Sequence, residues 1–200
     1  YRLACAGRDA VTGRWCSVSM IMFDRDGVLN EDRADYVKTP GELVLVPGVA
    51  RAVARLNRAN VTTVVVTNQG GIGRGLLDED TLARIHDKLC EDLAHENARL
   101  DHILFCPDHP DRPTERRKPA PGMLREALDH FGAAAAATPM VGDSLRDLEA
   151  AAALGCPRIL VLTGHGEKTL EVGLPENVQP VAVYDDLAAA VDALLWETPC

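Results

Sequence analysis

Two aspartates, Asp24 and Asp26, directly follow an apolar run and are themselves followed by Gly27. The run, residues 18–23, predicts a buried strand, so the aspartates stand at its carboxyl end. Neighbouring side chains of a strand point to opposite faces, so the two carboxylates can cooperate only where the chain turns, as glycine allows. Crowded carboxylates repel one another unless a cation lies between them, and oxygen ligands suit Mg²⁺. The motif predicts a metal-assisted reaction; the alternative is a polar turn at a strand end.

Further residues that could take part in catalysis or binding follow the next predicted strands or lie in a long loop. Each alone is also consistent with a turn, a helix N-cap or a solvated side chain. Their common position after strands favours one shared site, because ligands of open α/β sheets bind beyond the carboxyl ends of the strands. The groups are Thr67-Asn68-Gln69, the glycine-rich segment 70–75, Arg117-Lys118, and Asp143 with Asp147.

The chemistry that these residue types suggest is phosphoryl transfer, which needs positioning, charge neutralisation and an in-line nucleophile. Asp24 is placed to attack phosphorus and form an aspartyl-phosphate. Asp26 would protonate the leaving oxygen and later activate water. We expect Mg²⁺ to be held by Asp24, the Asp26 carbonyl and Asp143.

Three further groups would complete such a site. The Thr67 hydroxyl, the amide that follows it and the Lys118 ammonium would hold the phosphoryl oxygens. Asp147 would orient Lys118 or a metal-bound water.

The elements that position these residues alternate between strand and helix. This alternation predicts an α/β fold, Rossmann-like and doubly wound, with a mostly parallel sheet and helices on both faces. Strands are predicted at 18–23, 61–67, 103–106, 139–142, 158–162 and 181–183, and helices at 47–60, 78–99, 122–131, 144–154 and 185–196.

Length, composition and charge narrow the class of protein. The 200 residues are 46% hydrophobic and 26% charged, which predicts one soluble domain over 18–200 behind an irregular segment or linker at 1–17. The net charge of −9 argues against nucleic acid and anionic membranes as partners. No stretch reaches the roughly 18 apolar residues of a membrane span. Six scattered cysteines and an opening segment without a signal-peptide core predict a cytoplasmic protein with reduced thiols.

The motifs resemble those of the haloacid dehalogenase-like phosphohydrolases, whose four motifs match Asp24/Asp26, Thr67, Lys118 and Asp143/Asp147. Longer strings are similar to one branch, the D-glycero-D-manno-heptose 1,7-bisphosphate phosphatases, with histidinol-phosphate phosphatases as close relatives. The resemblance covers about residues 20–162. The strings are FDRDGVLN, TNQGGIGRG, RKPAPGM and VGDSLRD.

This resemblance implies removal of the C7 phosphate from a sugar bisphosphate by a protein without a large cap domain. The small members without a cap lead us to expect a monomer. Arg117 beside Lys118 suits a bisphosphate, because one cation serves the reacting phosphate while the guanidinium fork grips distal oxygens. The positions that match the branch's substrate pocket are Asp32, Tyr36, Asn68, Gln69, Arg74 and Arg117.

The chain also departs from the branch. Ser144 stands where many members have lysine, so one positive charge near the metal is missing. Many members bind zinc in the loop before Arg117, but here Cys106 remains with only His109, one residue out of register. Four-coordinate structural zinc needs more ligands than these, so we predict that zinc is absent.

Two other functions are consistent with the sequence. A histidinol-phosphate phosphatase would need a carboxylate facing the substrate amine, which Asp32, Asp35 or Asp108 could provide. A non-catalytic sugar-phosphate-binding domain is disfavoured because the proposed catalytic residues are all present.

Overall fold

The computed structural model describes residues 18–196, except for the side chain of Trp196. The expectation of an irregular segment at 1–17 therefore lies outside the described residues. The described part of the chain forms a single sheet of six parallel strands in the order β3-β2-β1-β4-β5-β6. The strands are β1 (Met20–Phe23), β2 (Thr62–Asn68), β3 (His102–Cys106), β4 (Met140–Gly142), β5 (Arg158–Val161) and β6 (Val181–Tyr184).

Helices cover both faces of the sheet, as the alternating pattern predicts. Helices α1, α3 and α7 share one face, where α1 packs between the other two, and α4 and α5 lie on the opposite face. The helices are α1 (Val49–Arg58), α2 (Gly70–Gly73), α3 (Glu79–Ala94), α4 (Gly122–Phe131), α5 (Leu145–Ala152), α6 (Gly166–Val172) and α7 (Leu187–Trp196). Short 3₁₀ turns occur at Pro40–Glu42, Ala135–Ala137 and Glu176–Val178.

The central strand β1 is buried on both faces. Its alternate residues Ile21 and Phe23 join the core under α1, α3 and α7, whereas Met20 and Met22 join the core under α4 and α5. This is the alternation expected of a strand sandwiched between two helical layers. The chain runs outward from β1 to β2 and β3, then returns to β4 on the other side. The strand order therefore reverses beside β1, and the crevice at this reversal is where such folds bind ligands.

The fold class is as predicted, with local differences at three helices. Helix α3 ends at Ala94 rather than near residue 99, because Asn97 adopts a left-handed conformation with φ of 57° and the chain turns back there. Helices α2 and α6 were not predicted. Within the described residues no helix is long and apolar enough to cross a membrane.

Candidate active site

A cavity of about 400 Å³ opens at the carboxyl ends of β1, β2 and β4. It brings together most of the residues that the motifs predicted: Asp24, Asp26, Asp32, Tyr36, Thr67, Asn68, Arg117, Lys118 and Asp143 all line it. Arg74 is exposed after α2 and lies outside the cavity lining, and Gln69 lies behind the lining as a buried residue.

Asp24 is the first residue after β1. Its backbone N–H donates to the Val141 carbonyl of β4 at 2.9 Å, which joins the end of β1 to the neighbouring strand. Its carboxylate accepts a hydrogen bond from the Arg25 N–H at 2.7 Å and faces the Lys118 ammonium at 3.1 Å. The carboxylate is therefore fixed in place while it still borders the cavity.

Asp26 is held by side chains that lie behind the cavity. Arg25 donates to both carboxylate oxygens at 2.8 and 2.9 Å, and the amides of Asn30 and Gln69 each donate at 2.9 Å. Burial would raise the pKa of Asp26, but the Arg25 charge and these hydrogen bonds outweigh burial and lower it. Gln69 also donates to the Thr67 hydroxyl at 2.9 Å, so its amide links two predicted site residues.

Arg25 and His86 belong to the site although the motif analysis did not select them. Arg25 is fully buried, and its Nη1 lies 3.4 Å from His86 Nε2. Burial, followed by the nearby Arg25 charge, lowers the pKa of His86 to about 4, so its ring is neutral and accepts from the guanidinium. The available signal was weak: His86 lies four residues after Leu82, one helical turn along the buried face of α3.

Lys118 is the central cation of the site. Its ammonium lies 2.6 Å from Asp147 and 3.1 Å from Asp24, and its side chain is only 1% exposed. Burial opposes its charge, but the two carboxylates outweigh burial and raise the pKa of Lys118. Lys118 is therefore charged and bridges the end of β1 to α5.

Asn68, at the end of β2, positions the backbone of Lys118. Its amide donates to the Lys118 carbonyl at 2.9 Å, and its carbonyl oxygen accepts from the Lys118 N–H at 3.1 Å. This pair of hydrogen bonds attaches the long loop to the sheet, so a strand-end residue determines where the ammonium lies.

Asp143 and Asp147 complete the carboxylate group. Asp143 follows β4 and accepts from the His165 N–H at 2.8 Å. Asp147, in the first turn of α5, accepts from the Ser144 hydroxyl at 2.7 Å. Gly27 has a φ of 81°, and a Cβ there would lie 2.0 Å from an Asp143 oxygen, so only glycine fits at the turn after Asp26.

This donor set fits Mg²⁺. One carboxylate oxygen each of Asp24, Asp143 and Asp147 lies within 4.8 Å of the others. Burial, with the charges of Asp147 and Asp24, raises the pKa of Asp143 to about 8. Burial also raises the pKa of Asp24, to about 6, despite the opposing charge of Lys118. Buried carboxylates that repel one another are stabilised by a hard cation with oxygen ligands.

The predicted ligand set and the observed cluster differ in one residue. The Asp26 carboxylate is directed to Arg25, Asn30 and Gln69, whereas Asp147 joins Asp24 and Asp143 in the cluster. The prediction named the Asp26 carbonyl rather than its carboxylate, and that ligand remains a proposal.

The rim of the cavity carries polar and charged side chains. Asp32 faces His165 across the opening, with 3.0 Å between carboxylate and imidazole. Tyr36 also lines the cavity and has a positive φ of 66°, uncommon for a side chain of this size. Arg117 is 7% exposed and donates to the Asp108 carbonyl at 3.1 Å.

The loop that carries Arg117 is held by hydrogen bonds. Asp108 accepts from the Thr114 N–H at 2.7 Å, and His109 Nδ1 accepts from the Asp111 N–H at 3.2 Å. Within residues 18–196 the Asp24 cluster is the only group of three or more potential metal-binding side chains, and it includes neither Cys106 nor His109. The absence of zinc stays a prediction.

Comparison with known proteins gives two family matches. A model of the HAD-hydrolase-like family matches residues 115–190, and a model of the polynucleotide kinase 3 phosphatase family matches residues 19–146.

Among curated proteins, the chain is 47% identical over 181 residues to a D-glycero-beta-D-manno-heptose-1,7-bisphosphate 7-phosphatase of Bordetella bronchiseptica, covering 90% of this chain and 99% of that protein. It is 44% identical over 179 residues to the Pseudomonas aeruginosa protein of the same name, covering 90% and 99%.

Two solved structures of such phosphatases are similar to this chain. A crystal structure of the B. bronchiseptica D,D-heptose 1,7-bisphosphate phosphatase, complexed with magnesium and phosphate, superposes with a TM-score of 0.86 at 47% identity, covering 90% of this chain and all of that one. The corresponding phosphatase of Burkholderia thailandensis gives a TM-score of 0.68 at 42% identity, covering 86% and 96%.

We predict that replacing Lys118 with methionine destabilises the metal-free protein by about 3–5 kcal/mol, because two buried carboxylates lose their counter-charge. Urea unfolding measures the free energy. Lys88→Met is a matched control, since Lys88 pairs with Asp92 at the surface of α3 and should cost less than about 1 kcal/mol. Equal costs for the two variants would contradict the central role of Lys118.

We also predict that Mg²⁺ raises the melting temperature more at about pH 8.5 than at about pH 5.5. The raised pKa of Asp143, about 8 against about 4 unfolded, gives stability that is present at low pH and lost as pH rises through 8. A bound cation removes this loss because it favours the ionised carboxylates.

Thermal unfolding with and without Mg²⁺ at both pH values checks this prediction, with an expected difference of several degrees, or about 1–2 kcal/mol. Asp143→Asn should flatten the metal-free pH dependence and weaken the response to Mg²⁺. An equal Mg²⁺ effect at the two pH values in the unmodified protein would show that the prediction is wrong.

Proposed function

Because this chain belongs to the haloacid dehalogenase-like phosphatases, we propose that it is a Mg²⁺-dependent phosphatase that removes the C7 phosphate of D-glycero-D-manno-heptose 1,7-bisphosphate. The substrate follows from relatives at 47% and 44% identity that match almost over their full lengths. The observation in this chain that carries the proposal is the Asp24 carboxylate, which faces a buried lysine and lies within a three-carboxylate cluster.

Asp24 is the nucleophile of this proposal. One of its carboxylate oxygens attacks phosphorus, the bond from phosphorus to the C7 oxygen breaks, and an aspartyl-phosphate forms. Water then attacks phosphorus, which releases inorganic phosphate and restores the carboxylate. Bound Mg²⁺ supplies charge neutralisation for the phosphate and the crowded carboxylates, with Asp24, the Asp26 carbonyl and Asp143 as its protein ligands.

Asp26 transfers the protons. As the acid it gives a proton to the C7 oxygen as that group leaves, and as the base it takes a proton from the attacking water. The lowered pKa in the resting arrangement keeps Asp26 ionised, which the second role requires. The first role requires the carboxyl to exchange its hydrogen bonds with Arg25 and Gln69 for one with the leaving oxygen, since these bonds favour the charged form.

The remaining residues bind and orient the substrate. The Thr67 hydroxyl, the backbone N–H of Asn68 and the Lys118 ammonium hold the reacting phosphoryl group. Asp147 orients Lys118. Asp32, Tyr36, the Asn68 side chain and Arg117 at the cavity contact the sugar and its second phosphate. Gln69 and Arg74 remain proposed substrate residues, although Gln69 bonds Asp26 and Arg74 lies outside the cavity lining.

Residues 18–200 act as one catalytic domain, and the protein acts as a cytoplasmic monomer on a small sugar phosphate rather than on nucleic acid. One chain supplies every group of the cavity described above, so a second copy is not needed for the chemistry. The net charge of −9 disfavours nucleic acid. Cys90, Cys106 and Cys156 are free thiols, which suits a reducing compartment.

We predict that Asp24→Asn lowers kcat for heptose 1,7-bisphosphate at least about 10³-fold, because an amide cannot form the acyl phosphate. Phosphate release is measured with Mg²⁺ and with a chelator, which should abolish turnover of the unmodified protein. Asp129→Asn, at an exposed position of α4, is the matched control and should keep normal turnover.

Both heptose 1,7-bisphosphate anomers and histidinol phosphate are assayed side by side. Normal turnover by Asp24→Asn would refute the nucleophile assignment. Faster turnover of histidinol phosphate would replace the proposed substrate with the alternative one. Silence on all three substrates, with intact folding, would favour a non-catalytic binding domain.

A further inference from the structure

The arginines around the cavity differ in whether a carboxylate compensates their charge. Arg25 pairs with Asp26, and Arg33 pairs with Asp35 at 3.2 Å. Arg117 and Arg146 also line the cavity, but in the described part of the chain neither has a carboxylate partner within ion-pair distance. Uncompensated guanidinium groups at a cavity are suited to bind an anionic group of a ligand.

Arg117 is the buried member of this pair. It is 7% exposed, and its guanidinium donates to one backbone carbonyl, that of Asp108, at 3.1 Å. Burial, and next the positive charge of Arg146, lower the pKa of Arg117. The two cations are therefore close enough to repel each other, and an anion between them would offset both the repulsion and the lost hydration.

Arg146 occupies an unfavourable position for an unpaired cation. It is the second residue of α5, which begins at Leu145, and the amino end of a helix carries partial positive charge. Its neighbour Asp147 is already engaged by Lys118 and Ser144. Arg146 is exposed, so water solvates its guanidinium, and a negative ligand in the cavity would in addition offset the repulsion from the helix end and from Arg117.

A second cavity of about 310 Å³ adjoins the first and helps to place the anion. The two cavities share Ser144, Arg146 and His165, and Lys168 lines only the second. Arg146 therefore stands at the boundary, whereas Arg117 lines only the first. An anion that contacts both arginines must lie on the catalytic side of this boundary.

We propose that Arg146 and Arg117 together bind the phosphate that is not hydrolysed, and that Arg146 sets the preference for a bisphosphate over a monophosphate. Many members of the branch have a lysine at the position of Ser144. In this chain Arg146, two residues further along the first turn of α5, supplies a positive charge instead. The inference rests on the proposed function, since it assigns the second phosphate of that substrate.

The test compares Arg146→Ala with the unmodified enzyme on heptose 1,7-bisphosphate and on heptose 7-phosphate, which lacks only the second phosphate. We expect kcat/KM for the bisphosphate, divided by kcat/KM for the monophosphate, to fall about 10–100-fold, mainly through a higher KM for the bisphosphate. Arg146→Lys should restore part of the ratio, because it keeps the charge but loses the planar fork.

Two control variants accompany this comparison. Arg125→Ala removes an exposed arginine of α4 that lines neither cavity, and Lys168→Ala removes a cation that lines only the second cavity. Both should keep the ratio within about twofold of the unmodified enzyme. An unchanged ratio in Arg146→Ala, or an equal loss in Lys168→Ala, would overturn the assignment.

Binding measured by calorimetry separates this inference from the proposed function. In the Asp24→Asn background, which cannot turn over, Arg146→Ala should weaken binding of heptose 1,7-bisphosphate about 10–100-fold, with circular dichroism confirming the fold. Weakened binding without any turnover by the unmodified enzyme would refute the proposed function but support the anion site. Normal turnover with unchanged binding would refute the anion site alone.

Discussion

The ion pairs of the buried Lys118 ammonium with Asp24 and Asp147 are the interaction on which the site depends. Three carboxylates converge within 4.8 Å at a mostly buried place, an arrangement that repulsion alone would open. One ammonium cannot neutralise all three, and burial together with the charges of Asp147 and Asp24 raises the pKa of Asp143 to about 8. The remaining negative charge is what makes the cluster a cation site rather than a closed salt-bridge network.

The sheet topology makes this interaction possible, because its members come from distant parts of the chain. Asp24 follows β1, Asp143 follows β4, and the Asn68 side chain at the end of β2 holds the Lys118 backbone. These three strands are neighbours in the sheet, with β1 at the centre and the reversal of strand order beside it. A change in register of one strand by a single residue would therefore move a charged group out of the cluster.

The strands and the residues at their ends could be predicted from sequence because both are local features. Continuous β-branched runs indicate buried strands, and charged residues directly after them share the same edge of a parallel sheet. Partners 43 and 50 residues away could not be read from such patterns: the Gln69 amide bonds Asp26, and the Asn68 amide bonds Lys118, although both were predicted only as substrate contacts. Helix α6 was missed because Gly166, which normally signals a turn, is required by a tight contact, where a Cβ would lie 1.8 Å from the Val161 carbonyl oxygen.

The cations of the site fall into two groups: those paired with a carboxylate and those without such a partner among the described residues. Lys118 and Arg25 are buried and paired with carboxylates, so they fix the geometry of Asp24 and Asp26. Arg117 and Arg146 line the same cavity without carboxylate partners among the described residues. In a protein with a net charge of −9, a doubly phosphorylated substrate is repelled at long range, so attraction must come from a few local cations. Unpaired cations contribute most to this attraction, because the charge of a paired cation is partly neutralised at short range.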